Sequence, residues 1–237
     1  KMKKNAVLAY FLAFIACVSA AYAEAKSVVV VELFTSQGCS ACPPADALLQ
    51  DLAEKPHVLA LAFHVDYWDY IGWKDTFTQP VFTQRQKTYA KRLGRKHVYT
   101  PQMIINGHHD VVGSHAMEIG EILSDEAKEP QAAMIESIAK DGEISLLIKN
   151  SDNSRPTPQS EILAIRFRAA SQVDIKKGEN KGRTLSYSNI VTSLSTIGVW
   201  RGTGTWKASY ASSGTDKVAI IVQGKNQGRI YGSAILP

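Results

Sequence analysis

The sequence predicts an α/β chain whose last hundred residues turn β-rich, and three observations carry that reading. Residues 28–33, VVVVEL, form an apolar run rich in β-branched side chains and short enough for a buried strand. A helical pattern follows, and then a second apolar run, HVLALAFHVD at residues 57–66, so strand, helix and strand succeed one another as in a parallel βαβ unit with a right-handed crossover. Past Asp141-Gly142 the pattern changes to short strand-like runs separated by turns rich in Gly and Ser.

The chain of 237 residues opens with a secretory leader over residues 1–23. Lys1, Lys3 and Lys4 form its charged start, residues 6–18 are apolar, and Ala21-Tyr22-Ala23 is a small-x-small cleavage site, so the mature protein is expected to begin at Glu24. A lipidated Cys17 is the second reading of this segment; Phe14 fits that motif poorly. The apolar run is too short for a confident membrane span, so no stable membrane insertion is expected after cleavage, and the location implied is periplasmic or secreted. Cleavage leaves 24 Lys and Arg against 22 Asp and Glu, a net charge of +2 in place of +5. That balance makes no electrostatic case for nucleic acid.

The first run ends at Thr35-Ser36-Gln37-Gly38, and Cys39-Ser40-Ala41-Cys42 follows. Pro43 and Pro44 suit a first helical turn, after which Ala47, Leu48, Leu49 and Leu52 recur at helical spacing. Cys39 therefore lies at or just before a helix start, where amide N–H groups and the helix dipole favour a thiolate. This makes Cys39 the expected nucleophile. Two intervening residues let the deeper Cys42 reach the same sulfur and resolve a mixed disulfide on it. No Lys or Arg lies between Ser36 and Leu49 to help. By itself a CxxC pair fits a redox dithiol, a fixed disulfide, or half of a metal site lacking two ligands. With the leader removed, Cys39 and Cys42 are the two cysteines left, and an oxidising compartment favours their disulfide.

After the second run comes a loop dense in aromatic residues, YWDYIGWKD at residues 67–75. It follows the carboxyl end of a strand, where α/β folds place their sites. It reads either as a wall of a substrate groove containing Trp68, or as a cap in which Trp68 and Trp73 close the core and Asp66 or Asp69 caps a helix. Residues 79–93 read as a helix with Val81, Phe82, Tyr89 and Leu93 inward and Gln84, Arg85, Lys87 and Lys91 outward. Thr100-Pro101 leads to Met103-Ile104-Ile105, and Asn106-Gly107 signals a hairpin returning through residues 110–113. Another helix starts near Ser114, with Met117, Ile119 or Gly120, and Leu123 repeating.

Over residues 27–128 this order resembles the thioredoxin fold, with Thr100-Pro101 where that fold carries its cis-proline. More narrowly, FTSQGCSACPPADALL, DYWDYIGW and YTPQMIING are similar to a family of exported bacterial thioredoxin-like proteins of uncharacterised function. The resemblance implies Cys39 as nucleophile, Cys42 as resolving cysteine, and Pro101 as the cis-proline facing them, with the Thr100 backbone offered to an extended substrate. Ser-Ala between the cysteines, two prolines after them and Gln102 after the proline depart from common thioredoxins and leave the direction of transfer open. The whole chain is then a thioredoxin-like domain over residues 24–140 followed by a β-rich, sandwich-like subdomain over residues 141–237.

In that second half, strands are expected at residues 143–149, 161–169, 187–194, 206–210, 218–223 and 229–236. Residues 176–183, KKGENKGR, read as a solvated hairpin loop rather than an anion site, and Trp200 and Trp206 as core or interface residues rather than a carbohydrate platform. His64 reads as a satisfied core histidine, and His108, His109 and His115 as exposed polar residues, so no metal ligand is assigned. The expected activity is thiol-disulfide exchange with a protein or small-thiol substrate, needing no cofactor but a redox partner protein. Two rivals are a binding module with a permanent disulfide, and a copper-binding protein using the cysteines and His64.

Overall fold

A computed structural model describes residues 28–140, 143–152, 154, 156–211 and 214–237, so the leader and Cys17 lie outside the described residues. The first half runs β1 (Val29–Thr35), α1 (Pro43–Ala53), β2 (Val58–His64), a 3-10 turn (Asp69–Ile71), α2 (Pro80–Arg92), β3 (Gln102–Ile105), β4 (His109–Val112) and α3 (Ala116–Glu126). The second half is all strand: β5 (Ala133–Lys140), β6 (Glu143–Asn150), β7 (Ser160–Asp174), β8 (Thr184–Trp200), β9 (Trp206–Ala211), β10 (Lys217–Gly224) and β11 (Ile230–Ile235).

Eight strands form one mixed sheet in the order β11-β10-β7-β8-β2-β1-β3-β4. β1 and β2 pair in parallel, as the βαβ spacing requires, while β3 and β4 run antiparallel to their neighbours. Every residue of β1 is buried because alternate side chains feed two cores. Val30 and Phe34 join Phe63, Phe82 and Tyr89 beneath α2; Val29, Val31 and Leu33 join Leu49, Met103 and Ile119 beneath α1 and α3. Truncating Leu33 or Leu61 to Ala therefore carries the usual core penalty of about 2–5 kcal/mol. The hairpin signal is realised with Asn106 at φ 44° and Gly107 at φ 73°, the left-handed pair a type I′ turn demands.

The C-terminal half is joined to the first edge-on: β8 lies beside β2, with Ala62 opposite Ile190, and carries β7, β10 and β11 outward in the same sheet. Sandwich-like packing occurs in one place, where the small sheet β5-β6-β9 stacks Ile144, Leu146 and Ile148 on Ile162, Ile220 and Val222. Trp200 is buried in that core, as the sequence predicts. Gly202, at φ 81°, lies so close to the Thr157 carbonyl that a Cβ there would collide with it.

Three details differ from the sequence reading. β5 was not anticipated, because AMIESIAK alternates weakly and gains its order from pairing with β6. Met117 is exposed, so α3 packs through Ile119 instead. In α2, Val81 is exposed while Arg85 is buried at 3% exposure. Glu32, in the middle of β1, is fully buried on the face that α2 covers; a carboxylate there needs a cation, and Arg85 supplies it at 2.6 Å.

Candidate functional site

The chemistry-bearing loop leaves the carboxyl end of β1. Cys39 and Cys42 are joined by a disulfide, and α1 begins at Pro43 with Cys42 as its cap residue. Cys39 thus sits just before the helix, three residues ahead of its cap. The Cys42 carbonyl accepts the amides of Ala45 and Asp46, and Pro43 and Pro44 have none to give. The loop amides are also engaged: Gln37 donates to Asp75, Gly38 to the Ser36 hydroxyl, Cys39 to the Ser36 carbonyl, Ser40 to Glu179 and Cys42 to the Cys39 carbonyl. The donors that the sequence reading made available to a Cys39 thiolate are largely committed to holding the loop. Both cysteines are buried, Cys39 at 1% and Cys42 at 0% exposure, so the expected difference in depth between them is absent.

The Thr100-Pro101 peptide is cis. Gln102, the next residue, pairs with Phe34, so this loop lies beside the end of β1 that leads to Cys39. Gly113 bonds the Pro101 carbonyl, and a Cβ on it would meet both Pro101 and Ala45 of α1 at 3.0–3.2 Å. Trp68 packs on the core and donates its indole N–H to Thr100 Oγ1 at 2.8 Å, while Trp73 donates to Gln37 at 2.8 Å. Trp68, Thr100 and Pro101 are therefore brought together beside the dithiol. The aromatic loop packs its two tryptophans against core clusters and leaves Tyr70 exposed at 81%. Asp66 and Asp69 accept bonds from Thr83 and the Asp75 amide.

On the α1 side of the sheet the loop covers a buried polar cluster. Asp46, one turn beyond Cys42, accepts the Thr35 hydroxyl at 2.8 Å. His64 is fully buried, with Nδ1 2.7 Å from Asp75 Oδ2 and its ring edge-on to Phe77 and Tyr187. Burial pushes the Asp46 carboxyl up to about 7, against the opposing pull of His64 and Thr35. Asp46 Oδ2, His64 Nε2 and the Tyr187 hydroxyl have no hydrogen-bond partner among the described residues.

A family model described as a protein of unknown function, DUF1223, matches residues 30–223. The chain belongs to the DUF1223 family. Among solved structures, this DUF1223 chain is similar to a protein from Agrobacterium tumefaciens, at 31% identity and a TM-score of 0.76, over 89% of this chain and 95% of that one. It also shares its fold with HBP35 of Porphyromonas gingivalis, at 15% identity and a TM-score of 0.59, over 89% of this chain and 75% of that one. No curated protein matches.

The family match runs through both halves of the chain, and so does the site. The expectation of a solvated hairpin loop at residues 176–183 holds for its charged side chains and fails at Asn180. The β7-β8 hairpin reaches across the dithiol loop, where buried Asn180 donates both amide hydrogens, to the carbonyls of Gln37 and Cys39, each at 3.0 Å. Glu179 accepts from Ser40, and Gly178 sits against Trp73. The lysines stay out in solvent, which is what their charge made legible; the buried Asn between them gave no sign. Asp46 and Asp75 were likewise missed, since an acidic residue in a helix or loop looks solvated until its neighbours are known. In this DUF1223 protein no described helix is long and apolar enough to cross a membrane.

Proposed function

We propose that this DUF1223 protein is an exported thiol-disulfide oxidoreductase of thioredoxin-like fold, acting through Cys39 and Cys42. The observation that carries the reading is the convergence of a CxxC disulfide at a strand-to-helix junction, a cis Thr100-Pro101 loop beside it, and Trp68 bonded to Thr100. In the reducing direction the Cys39 thiolate attacks a substrate disulfide, forming one S–S bond as the substrate's own breaks and its leaving thiolate takes up a proton. Cys42, as thiolate, then attacks Cys39 Sγ, closing the intrachain disulfide and releasing the second substrate thiol. Two electrons pass from protein to substrate; the oxidising direction is the reverse. Asp46, one helical turn from Cys42 and raised to about 7, is the group to hold the proton that Cys42 must lose. An extended substrate lies along the Thr100 backbone with Trp68 as an apolar contact. A redox partner protein restores the starting state, in the periplasm or beyond it.

A second reading has one specific observation in its favour: both cysteines are buried, as in a structural disulfide on a binding module. One experiment separates them. The reduction potential of the Cys39-Cys42 pair, read by counting thiols in glutathione or dithiothreitol buffers, is expected above about −270 mV for a catalytic pair; a value well below about −300 mV marks an inert bridge and overturns the exchange mechanism. Cys42→Ser should in addition trap a mixed disulfide on Cys39, and Cys39→Ser should abolish exchange with a test disulfide.

A further inference from the structure

At the opposite end of β1 from the cysteines, the hairpin turn and the end of α3 bring together three side chains that the sequence reading left unassigned. His108 and His109 both point Nε2 at one carboxylate oxygen, Oε1 of Glu126, at 3.2 and 2.9 Å. Glu126 is 8% exposed in its side chain, and the ligating atoms of the three residues all lie within 4.8 Å of one another. His115, by contrast, is a surface residue paired with Glu118.

The arrangement of protons makes this more than a surface ion pair. His108 Nδ1 lies 3.0 Å from the Asn106 carbonyl, which can only accept, so Nδ1 carries the hydrogen and the neutral ring turns its lone pair toward Glu126. A lone pair and a carboxylate oxygen 3.2 Å apart repel unless a positive charge lies between them. Either a second proton on His108 or a metal cation satisfies that geometry. The two N···O separations are close to the roughly 3.3 Å edge of a tetrahedron drawn with metal–ligand bonds of about 2.0–2.1 Å.

Asn106 then supplies the outer contacts such a centre needs. Its carbonyl orients His108, and its amide donates to Glu126 Oε2 at 2.7 Å, leaving Oε1 to the histidines. Asn106 is itself pinned to β1, its Oδ1 accepting from Val30 N at 2.9 Å and its own amide bonding the Val30 carbonyl at 2.8 Å. Hydrogen bonds of this kind from a residue behind the ligands fix tautomer and orientation in metal centres. Arg229 also reaches Glu126 Oε2, at 3.4 Å, where its charge opposes a cation, while both imidazoles meet Oε1.

We propose that His108, His109 and Glu126 form a binding site for a borderline divalent cation of the zinc class. Two imidazoles and one carboxylate suit Zn²⁺ and leave the fourth tetrahedral position to water. The site lies away from the dithiol and stands or falls independently of the redox reading.

The test is titration of the mature chain, residues 24–237, with ZnCl₂ by calorimetry and equilibrium dialysis, with the Cys39-Cys42 disulfide intact so that no thiolate competes. The expected result is one equivalent of Zn²⁺ per chain, weakened at least about tenfold by His109→Ala and by Glu126→Gln and unchanged by His115→Ala. Histidine ¹⁵N spectra of the wild-type chain, which need no variant to fold, should show Zn²⁺ shifting Nε2 of His108 and His109 while Nδ1 of His108 stays protonated. Absence of uptake at micromolar Zn²⁺, or uptake that survives His109→Ala or shifts other histidines, overturns the proposal.

Discussion

Two clusters of ionisable side chains are buried on opposite faces of the large sheet, and they are completed differently. On the α2 face, Arg85 makes a two-pronged contact with Glu32, Tyr89 donates to the same carboxylate at 2.7 Å, and Gln223 of β10 bonds both Arg85 and Tyr89. Burial disfavours the Arg85 charge, and the Glu32 carboxylate more than offsets this, so the guanidinium stays charged. On the α1 face, Asp46 and His64 each keep one polar atom without a partner among the described residues, and Asp46 has its proton equilibrium near neutrality. A closed network holds the halves of the chain together; an incomplete one beneath a disulfide leaves a proton to move.

The largest effect should come from opening the closed cluster. Arg85→Met leaves the Glu32 carboxylate buried without its cation and is expected to lower stability by about 3–5 kcal/mol in urea denaturation, while Glu32→Leu added to it restores most of the loss. If the single variant costs nothing, the Glu32-Arg85 pair does not anchor the network that Gln223 joins from the second half.

The Asp46 cluster should announce itself through pH. With its carboxyl raised from 3.8 to about 7, the native chain keeps a proton that the unfolded chain releases. The stabilisation is therefore complete below about pH 4 and is lost as pH rises through 7, an effect of up to about 4 kcal/mol. Asp46→Asn should flatten the stability profile between pH 4 and 8; an unchanged slope would assign the titration elsewhere.

The clamp from the second half is next. Asn180→Ala removes two bonds to the dithiol loop, taking the Asn180 donor from the Gln37 carbonyl while the Cys39 carbonyl keeps the Cys42 amide, so a loss of about 1–3 kcal/mol is expected, together with faster reduction of the Cys39-Cys42 disulfide by dithiothreitol. Trp68→Phe, which forfeits the single bond to Thr100, should cost about 1 kcal/mol; Trp68 packs on the same α2-side core as Tyr89, so a melt of its double variant with Arg85→Met reads by additivity whether that bond and the Glu32 cluster act independently.

Much of the framework was legible because it is written in local patterns. The β1-α1-β2 succession, the Asn106-Gly107 turn, the CxxC pair and most C-terminal strands follow from periodicity and turn chemistry within windows of about ten residues. The cluster around Asp46, the Asn180 clamp and the convergence of His108 with Glu126 were not, since each joins residues far apart in the chain. Polarity alone placed these side chains in water. Arg85 shows the limit most directly: its charge put it on the outward face of α2, and its buried partner on β1 was not readable.

What the sequence determined by itself was the alternation of elements and the pair of cysteines joined by the disulfide, because backbone geometry and cysteine spacing act over a few residues. Only the tertiary structure decided which polar groups lose their water, since burial depends on the strands and helices that close over a side chain. It decided too that the second half reaches the dithiol, because a hairpin's tip contacts whatever the sheet order sets beside it, and β8 lies next to β2.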